Sequence, residues 1–113
     1  MEIDDKNVAQ GTLMETNLED GFRILRFQNE SNGIQKVIRE IDSSLIQFHF
    51  CLKGDCTFNF NNGRYTLDLK EEHSLLLYNP QRNLPINLDV HPKSWLVSVI
   101  ISIKKFHSLF SME

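Results

Sequence analysis

Apolar and polar residues alternate along most of this chain, and short polar or glycine-containing clusters interrupt the alternation at regular intervals. A period of two predicts strands, and frequent interruptions predict short ones. The clearest run is Ile46 to Leu67. Within it, Asn62-Gly63 lies between alternating apolar residues and fits a type I′ hairpin, because that turn needs φ > 0 at both central positions. Folding back there sets Asn61 against Arg64, Phe60 against Tyr65 and Phe58 against Leu67, with the last two pairs on one face. Lys53-Gly54 predicts an earlier turn, with Leu52 opposite Asp55 and Cys51 opposite Cys56. The expectation is a three-stranded antiparallel meander with one apolar face.

Around this run the pattern is read in chain order. Residues 1–20 are polar and weakly patterned, a flexible or partly ordered arm with a short strand near Thr12 to Glu15. Phe22 to Gln28 reads as a strand, with Phe22, Ile24 and Arg26 on one side and Leu25 and Phe27 on the other. Asn29 to Gly33 is a turn cluster. In the segment Ile34 to Ile41, the spacing of Ile34, Val37, Ile38 and Ile41 is helical by period alone. Its length of about two turns and its isoleucine and valine content favour a strand instead.

After Leu69, Lys70 to His73 is a charged turn. Ser74 to Asn79 is a continuous apolar run that suits a strand covered on both faces. Pro80 and Pro85 bracket a loop. Ile86, Leu88 and Val90 alternate with Asn87 and Asp89 as a half-buried strand. His91-Pro92-Lys93 turns the chain into the longest strand, Trp95 to Ile103, with Trp95, Val97, Val99, Ile101 and Ile103 on one face. Leu96, Ser98, Ile100 and Ser102 share the other. Ser102 then suits the cap of a helix whose Ile103, Phe106 and Phe110 form one stripe, with Leu109 beside them. About eight or nine short strands and one terminal helix imply a mostly β sandwich or barrel.

Composition narrows the function classes. At 113 residues, with 41% hydrophobic and 24% charged content, the chain is one ordinary globular domain. A net charge of −3 argues against a nucleic-acid surface, and Lys104-Lys105 is the one basic doublet. No apolar run is long enough to span a bilayer, since Trp95 to Ile101 is short and holds Ser98. The acidic start Met1 to Lys6 lacks the apolar stretch of a signal peptide. Two cysteines without an export signal point to a cytoplasmic setting and free thiols, although cross-strand placement of Cys51 and Cys56 would permit a disulfide.

Candidate chemistry is sparse. The four histidines, His49, His73, His91 and His107, have no chelating spacing, so no metal is expected. His73, His91 and His107 read as surface polar residues. His49 is mid-strand and must be solvated, internally hydrogen-bonded or part of a pocket. Cys51 lies two positions away on the same face, but nothing supplies an orienting third group for a catalytic dyad. Glu71 and Glu72 read as a solvated turn, and no phosphate-cradling glycine loop is present. Tyr78 and Trp95 are core residues or, through their polar handles, parts of a pocket.

The run Gln47-Phe48-His49-Phe50-Cys51-Leu52-Lys53-Gly54, the Asn62-Gly63 turn and Leu75-Leu76-Leu77-Tyr78-Asn79-Pro80-Gln81 together resemble the amino-terminal cupin-like domain of AraC-type transcriptional regulators. Trp95 to Phe110 looks like that domain's last strand running into its first linking helix, and the resemblance covers about residues 22–113. It implies an antiparallel jelly-roll barrel over 21–103, and 104–113 as the start of a linker and dimerisation helix. A DNA-binding domain with two helix-turn-helix motifs would follow, which makes this chain a piece of a longer regulator.

Metal-dependent cupins carry a His-x-His pair and a glutamate. Here Glu40-Ile41-Asp42 falls near the histidine pair, Gln47 at the glutamate, and Leu84-Pro85-Ile86 near the later histidine, so the resemblance implies no metal and no cofactor. It places Gln47, His49 and Cys51 inside the barrel and gives an expected ligand pocket of Gln47, His49, Cys51, Tyr78 and Trp95, with dimerisation through Phe106, Leu109 and Phe110. The expected function is non-catalytic effector sensing or dimerisation in a cytoplasmic homodimer, with DNA contacted only through the further domain and no membrane association. The alternatives are a stand-alone small cupin enzyme or binding protein, and an interaction module with a filled barrel.

Overall fold

A computed structural model describes residues 11–110 as nine antiparallel strands and one helix. The strands are β1 (Gly11–Glu19), β2 (Phe22–Asn29), β3 (Gln35–Arg39), β4 (Leu45–Lys53), β5 (Asp55–Phe60), β6 (Tyr65–Lys70), β7 (Ser74–Leu77), β8 (Ile86–Val90) and β9 (Ser94–Ser102); the helix is α1 (Ile103–Phe110). They form two sheets, one ordered β1-β2-β9-β4-β7 and one ordered β3-β8-β5-β6. The ambiguous segment after Gly33 is strand β3, and the early strand runs the full length of β1, well beyond Thr12 to Glu15.

Alternation along each strand supplies the core. Leu25 and Phe27 of β2 and Leu96 and Ile100 of β9 face inward from the five-stranded sheet. Phe58 of β5 and Ile86, Leu88 and Val90 of β8 face them from the four-stranded sheet, all at most 2% exposed. Burying a side chain of this size contributes roughly 1.5–3 kcal/mol, which is why the inward pattern fixes the register.

The expected hairpin at Asn62-Gly63 is present, with Phe60 paired to Tyr65 and Phe58 to Leu67. Asn61, Asn62 and Gly63 all take positive φ, and Arg64 N–H bonds the Asn61 carbonyl at 3.2 Å. The ladder therefore begins one pair inside the Asn61–Arg64 pairing that the sequence predicted.

The expected meander is corrected at its first turn. β4 and β5 are not paired: β4 lies between β9 and β7, whereas β5 lies between β8 and β6. Cys51 pairs with Leu96 and Cys56 with Val90 and Leu69, so Leu52–Asp55 and Cys51–Cys56 are not hairpin partners. The physical reason is Gly54. Its φ of +74° turns the chain out of one sheet and into the other, and the backbone packs so tightly on Ser94 that no side chain fits. A second correction concerns Ser74 to Asn79. β7 is an edge strand with Leu76 56% exposed, so its continuous apolar run reflects an outward apolar face and not two-sided cover.

Polar side chains hold the sandwich together at its margins. Asn29, 1% exposed, donates through Nδ2 to the carbonyls of Gly33, Val90 and His91, and its Oδ1 accepts from Ser31. It thereby ties the end of β2 to the end of β8 across the two sheets. At the β1/β3 side, Glu15 of β1 accepts from Arg39 of β3 at 2.5 Å and from Arg23 of β2 at 3.3 Å. The Arg39 hydrogen bond, followed by the attraction of both guanidinium groups, holds the Glu15 carboxyl below its ordinary range.

Gly54→Ala is expected to destabilise the fold by roughly 2–4 kcal/mol, because the new Cβ meets Ser94 Oγ and lies 3.0 Å from its Cα. Gly63→Ala, also at positive φ but with open space around it, is expected to cost only about 1–2 kcal/mol. Urea unfolding of both variants checks the difference; equal costs would remove the packing argument at Gly54.

Candidate functional site

The interior face of β4 carries Gln47, His49 and Cys51, all at most 1% exposed. On the neighbouring strand β9 the residue opposite His49 is Ser98, also fully buried. His49 Nδ1 lies 2.5 Å from Ser98 Oγ, and His49 Nε2 lies 2.8 Å from Gln47 Oε1. Gln47 Nε2 in turn donates to the Leu84 carbonyl at 2.6 Å, in the loop between the two prolines.

These contacts set the direction of every hydrogen bond. The Leu84 carbonyl only accepts, so the Gln47 amide must present its NH2 there and its oxygen to His49. His49 Nε2 must then carry the proton, which leaves Nδ1 to accept the Ser98 hydroxyl hydrogen. The result is a one-way chain from Ser98 through His49 and Gln47 to Leu84. Burial lowers the His49 pKa to about 3, so the ring is neutral at physiological pH. The Phe58 ring sits 4.7 Å from the imidazole and fills the space beside it.

Cys51 does not join this chain. Its thiol donates toward the carbonyls of Lys53 and Gly54, and burial pushes it up, as burial also does for Cys56. A thiolate nucleophile activated by His49 has no support, since both imidazole nitrogens are already engaged.

The other two residues of the expected pocket lie elsewhere. Trp95 is on the outer face of β9, where its indole N–H donates to the Glu30 carboxylate at 2.6 Å and Lys53 Nζ stands 5.6 Å from the ring centre. Tyr78 follows the edge strand β7 and is 37% exposed. The structure thus brings Gln47, His49 and Cys51 into the interior and corrects the placement of Tyr78 and Trp95, because the strand twist and the odd-even alternation turn both outward. Ser98, the third member of the hydrogen-bonded chain, was missed; a serine between Val97 and Val99 on the longest strand was the available signal.

At the carboxyl end, Ser102 caps α1 through Lys105 N–H to Ser102 Oγ at 3.0 Å. Phe106, one of the three expected dimerisation residues, is half-buried and stacks on Phe48 of β4 at 6.1 Å. Leu109 is 43% and Phe110 69% exposed.

No protein-family model matches the chain, and no curated protein matches it in sequence. Solved structures do. An RmlC-like cupin protein from Desulfovibrio desulfuricans is 13% identical with a TM-score of 0.64, over 89% of this chain and 88% of that one. The cupin domain of Schizosaccharomyces pombe Cnp3 is 11% identical with a TM-score of 0.62, over 92% and 73%. The Cupin_2 domain of an XRE family transcriptional regulator from Enterobacter cloacae is 7% identical with a TM-score of 0.60, over 81% and 96%. The fold is therefore a cupin-like jelly roll.

Many cupins hold a metal at the barrel centre, but the residues here do not fit one. His49 is the one buried imidazole among the described residues and has no free nitrogen. Gln47 is neutral, and no three His, Cys, Asp or Glu side chains converge among the described residues.

His49 gives a pH signature. An unfolded imidazole titrates at about 6.5, and the folded one at about 3. Between those values only the unfolded chain binds the proton, so the contribution is complete above pH 6.5 and is lost as pH falls toward 3. The expected slope is up to about 1.4 kcal/mol per pH unit in that window. His49→Leu should flatten it; urea midpoints from pH 7 to 4 that fall equally in both proteins would remove His49 as the source.

Proposed function

We propose that the chain is a non-catalytic regulatory domain of an AraC-type transcriptional regulator, one that senses an effector and self-associates. The observation that carries this reading is the double role of β9. Its Ser98 anchors the buried hydrogen-bonded chain, and its end passes directly into the capped helix α1. A change in the interior is thereby mechanically connected to a surface element. Further support comes from the cupin-like fold, which this chain shares with a domain of a solved transcriptional regulator.

The absence of catalysis in this reading rests on engaged groups. His49 has both nitrogens occupied and is neutral, and the Cys51 and Cys56 thiols are pushed away from the reactive thiolate form. DNA contact in this reading belongs to a helix-turn-helix domain outside the present sequence.

Self-association is assigned to α1 and the sheet face beneath it. Phe106 stacks on Phe48, and the neighbouring outward residues Phe50 and Leu76 are 38% and 56% exposed. With Leu109 and Phe110 they make one apolar surface that a second copy would cover. Phe110→Ala is expected to weaken the dimer by roughly 10–100-fold, the effect of losing an aromatic anchor worth about 1.4–2.8 kcal/mol. Sedimentation equilibrium over a concentration series measures this, and an unchanged mass distribution would remove α1 from the interface.

A further inference from the structure

One end of the sandwich carries a cleft of about 510 Å³ between the β5–β6 turn, the start of β8 and the loop from Asn79 to Pro85. Six of its ten lining residues are asparagines and one is Arg82; none is a carboxylate. An asparagine offers both a donor and an acceptor, so its orientation decides what remains for a ligand. Asn79 Oδ1 accepts the Gln81 backbone N–H at 2.9 Å, and Asn83 Oδ1 accepts the Ser43 backbone N–H at 2.8 Å. Asn87 Oδ1 accepts the Lys36 ammonium at 3.2 Å.

Each of those partners can only donate. Each amide is therefore fixed with its oxygen engaged and its NH2 group unspent. Arg82 is exposed and has no carboxylate partner among the described residues. Asn59 is turned the other way, its Nδ2 donating to Asp89 Oδ2 at 3.2 Å, so the cleft offers three unspent amide NH2 groups and one positive charge, in a chain whose net charge is −3. Phe60, Leu84 and Pro85 supply an apolar wall. A cation needs carboxylates, which the lining lacks; an oxyanion is matched by the guanidinium and by the three NH2 groups.

We propose that this cleft binds a small organic oxyanion, its carboxylate or phosphate held by Arg82 and by the NH2 groups of Asn79, Asn83 and Asn87, with an apolar body against Phe60 and Pro85. The volume suits a small molecule, and the guanidinium accommodates either head group in a two-point contact. Leu84, on the same wall, accepts the Gln47 amide that leads through His49 and Ser98 to β9. A ligand seated here acts as the effector, an assignment that rests on the regulatory reading, whereas the binding itself does not.

The experiment follows the side-chain amide signals of the full chain by nuclear magnetic resonance, with benzoate and phenyl phosphate as probes and benzamide as the neutral control. Saturable shifts of the Asn79, Asn83 and Asn87 NH2 signals are expected by about 20 mM anion, the regime of roughly millimolar affinity for such fragments. Benzamide should leave them in place. Arg82→Gln, at an exposed position with no carboxylate partner among the described residues, should weaken binding about tenfold or more. A response to benzoate alone assigns carboxylates, and one to phenyl phosphate alone assigns phosphate esters. No shift with either anion, equal shifts with benzamide, or unchanged affinity in Arg82→Gln overturns the site. Sedimentation of the chain saturated with the binding probe separates the two layers: unchanged self-association removes the effector role and leaves the site standing.

Discussion

Ser98, His49, Gln47 and the Leu84 carbonyl form a hydrogen-bonded line that can run in only one direction, and the arrangement of the barrel follows from that restriction. A buried imidazole with an unpaired nitrogen would cost about 1–3 kcal/mol, so β4 and β9 must keep the register that sets His49 opposite Ser98. The same line fixes the proline-flanked loop, because Leu84 must bring its carbonyl to the Gln47 amide. Shifting β4 by one residue would turn Gln47, His49 and Cys51 to the outer face and place Phe48 and Phe50 in the core, leaving Ser98 and Leu84 without partners. Polar groups at the centre therefore add to the pairing preference that the apolar residues around them set.

Much of this architecture is legible in the residues themselves. The alternation of Ile86, Leu88 and Val90, and of Leu25 with Phe27, is strict enough to fix strands and inward faces, and the Asn62-Gly63 chemistry locates its hairpin. What local pattern does not carry is which sheet a strand joins. Lys53-Gly54 looks like a hairpin turn because glycine serves tight turns and sheet-to-sheet corners equally well; the long-range approach of Ser94 decides between them. β7 misleads for a related reason. Apolar residues on both faces mean burial in most sheets, but here they belong to an edge with an apolar outer surface. The inward placement of Gln47, His49 and Cys51 is readable from alternation, and so is the outward placement of Trp95 once Leu96 and Ser98 are known to face inward.

The two broad faces of the molecule differ in chemistry. Outside the five-stranded sheet, Phe48, Phe50 and Leu76 continue the apolar stripe of α1. Outside the four-stranded sheet, Thr57 lies within 2.9 Å of both Asp68 and His91, and Lys36 bonds Asp89 at 2.9 Å, a solvated polar network. The asparagine cleft borders this network: Asn59 spends its NH2 on Asp89, while the Asn87 oxygen accepts from Lys36 and leaves its NH2 over. The apolar surface and the amide-lined cleft thus lie on separate parts of the body.

The clasp of Glu15 with Arg39 and Arg23 ties one flank through side chains, whereas the other is tied by the short β6–β7 turn, where Gly54 N–H donates to Glu71 Oε1 at 2.9 Å. At the other flank β6 turns Tyr65 and Leu67 toward the interior side, yet they are 65% and 39% exposed, since none of the described strands covers them. The rim of the core next to Phe58 is therefore roofed on this flank by side chains that themselves stand partly in water.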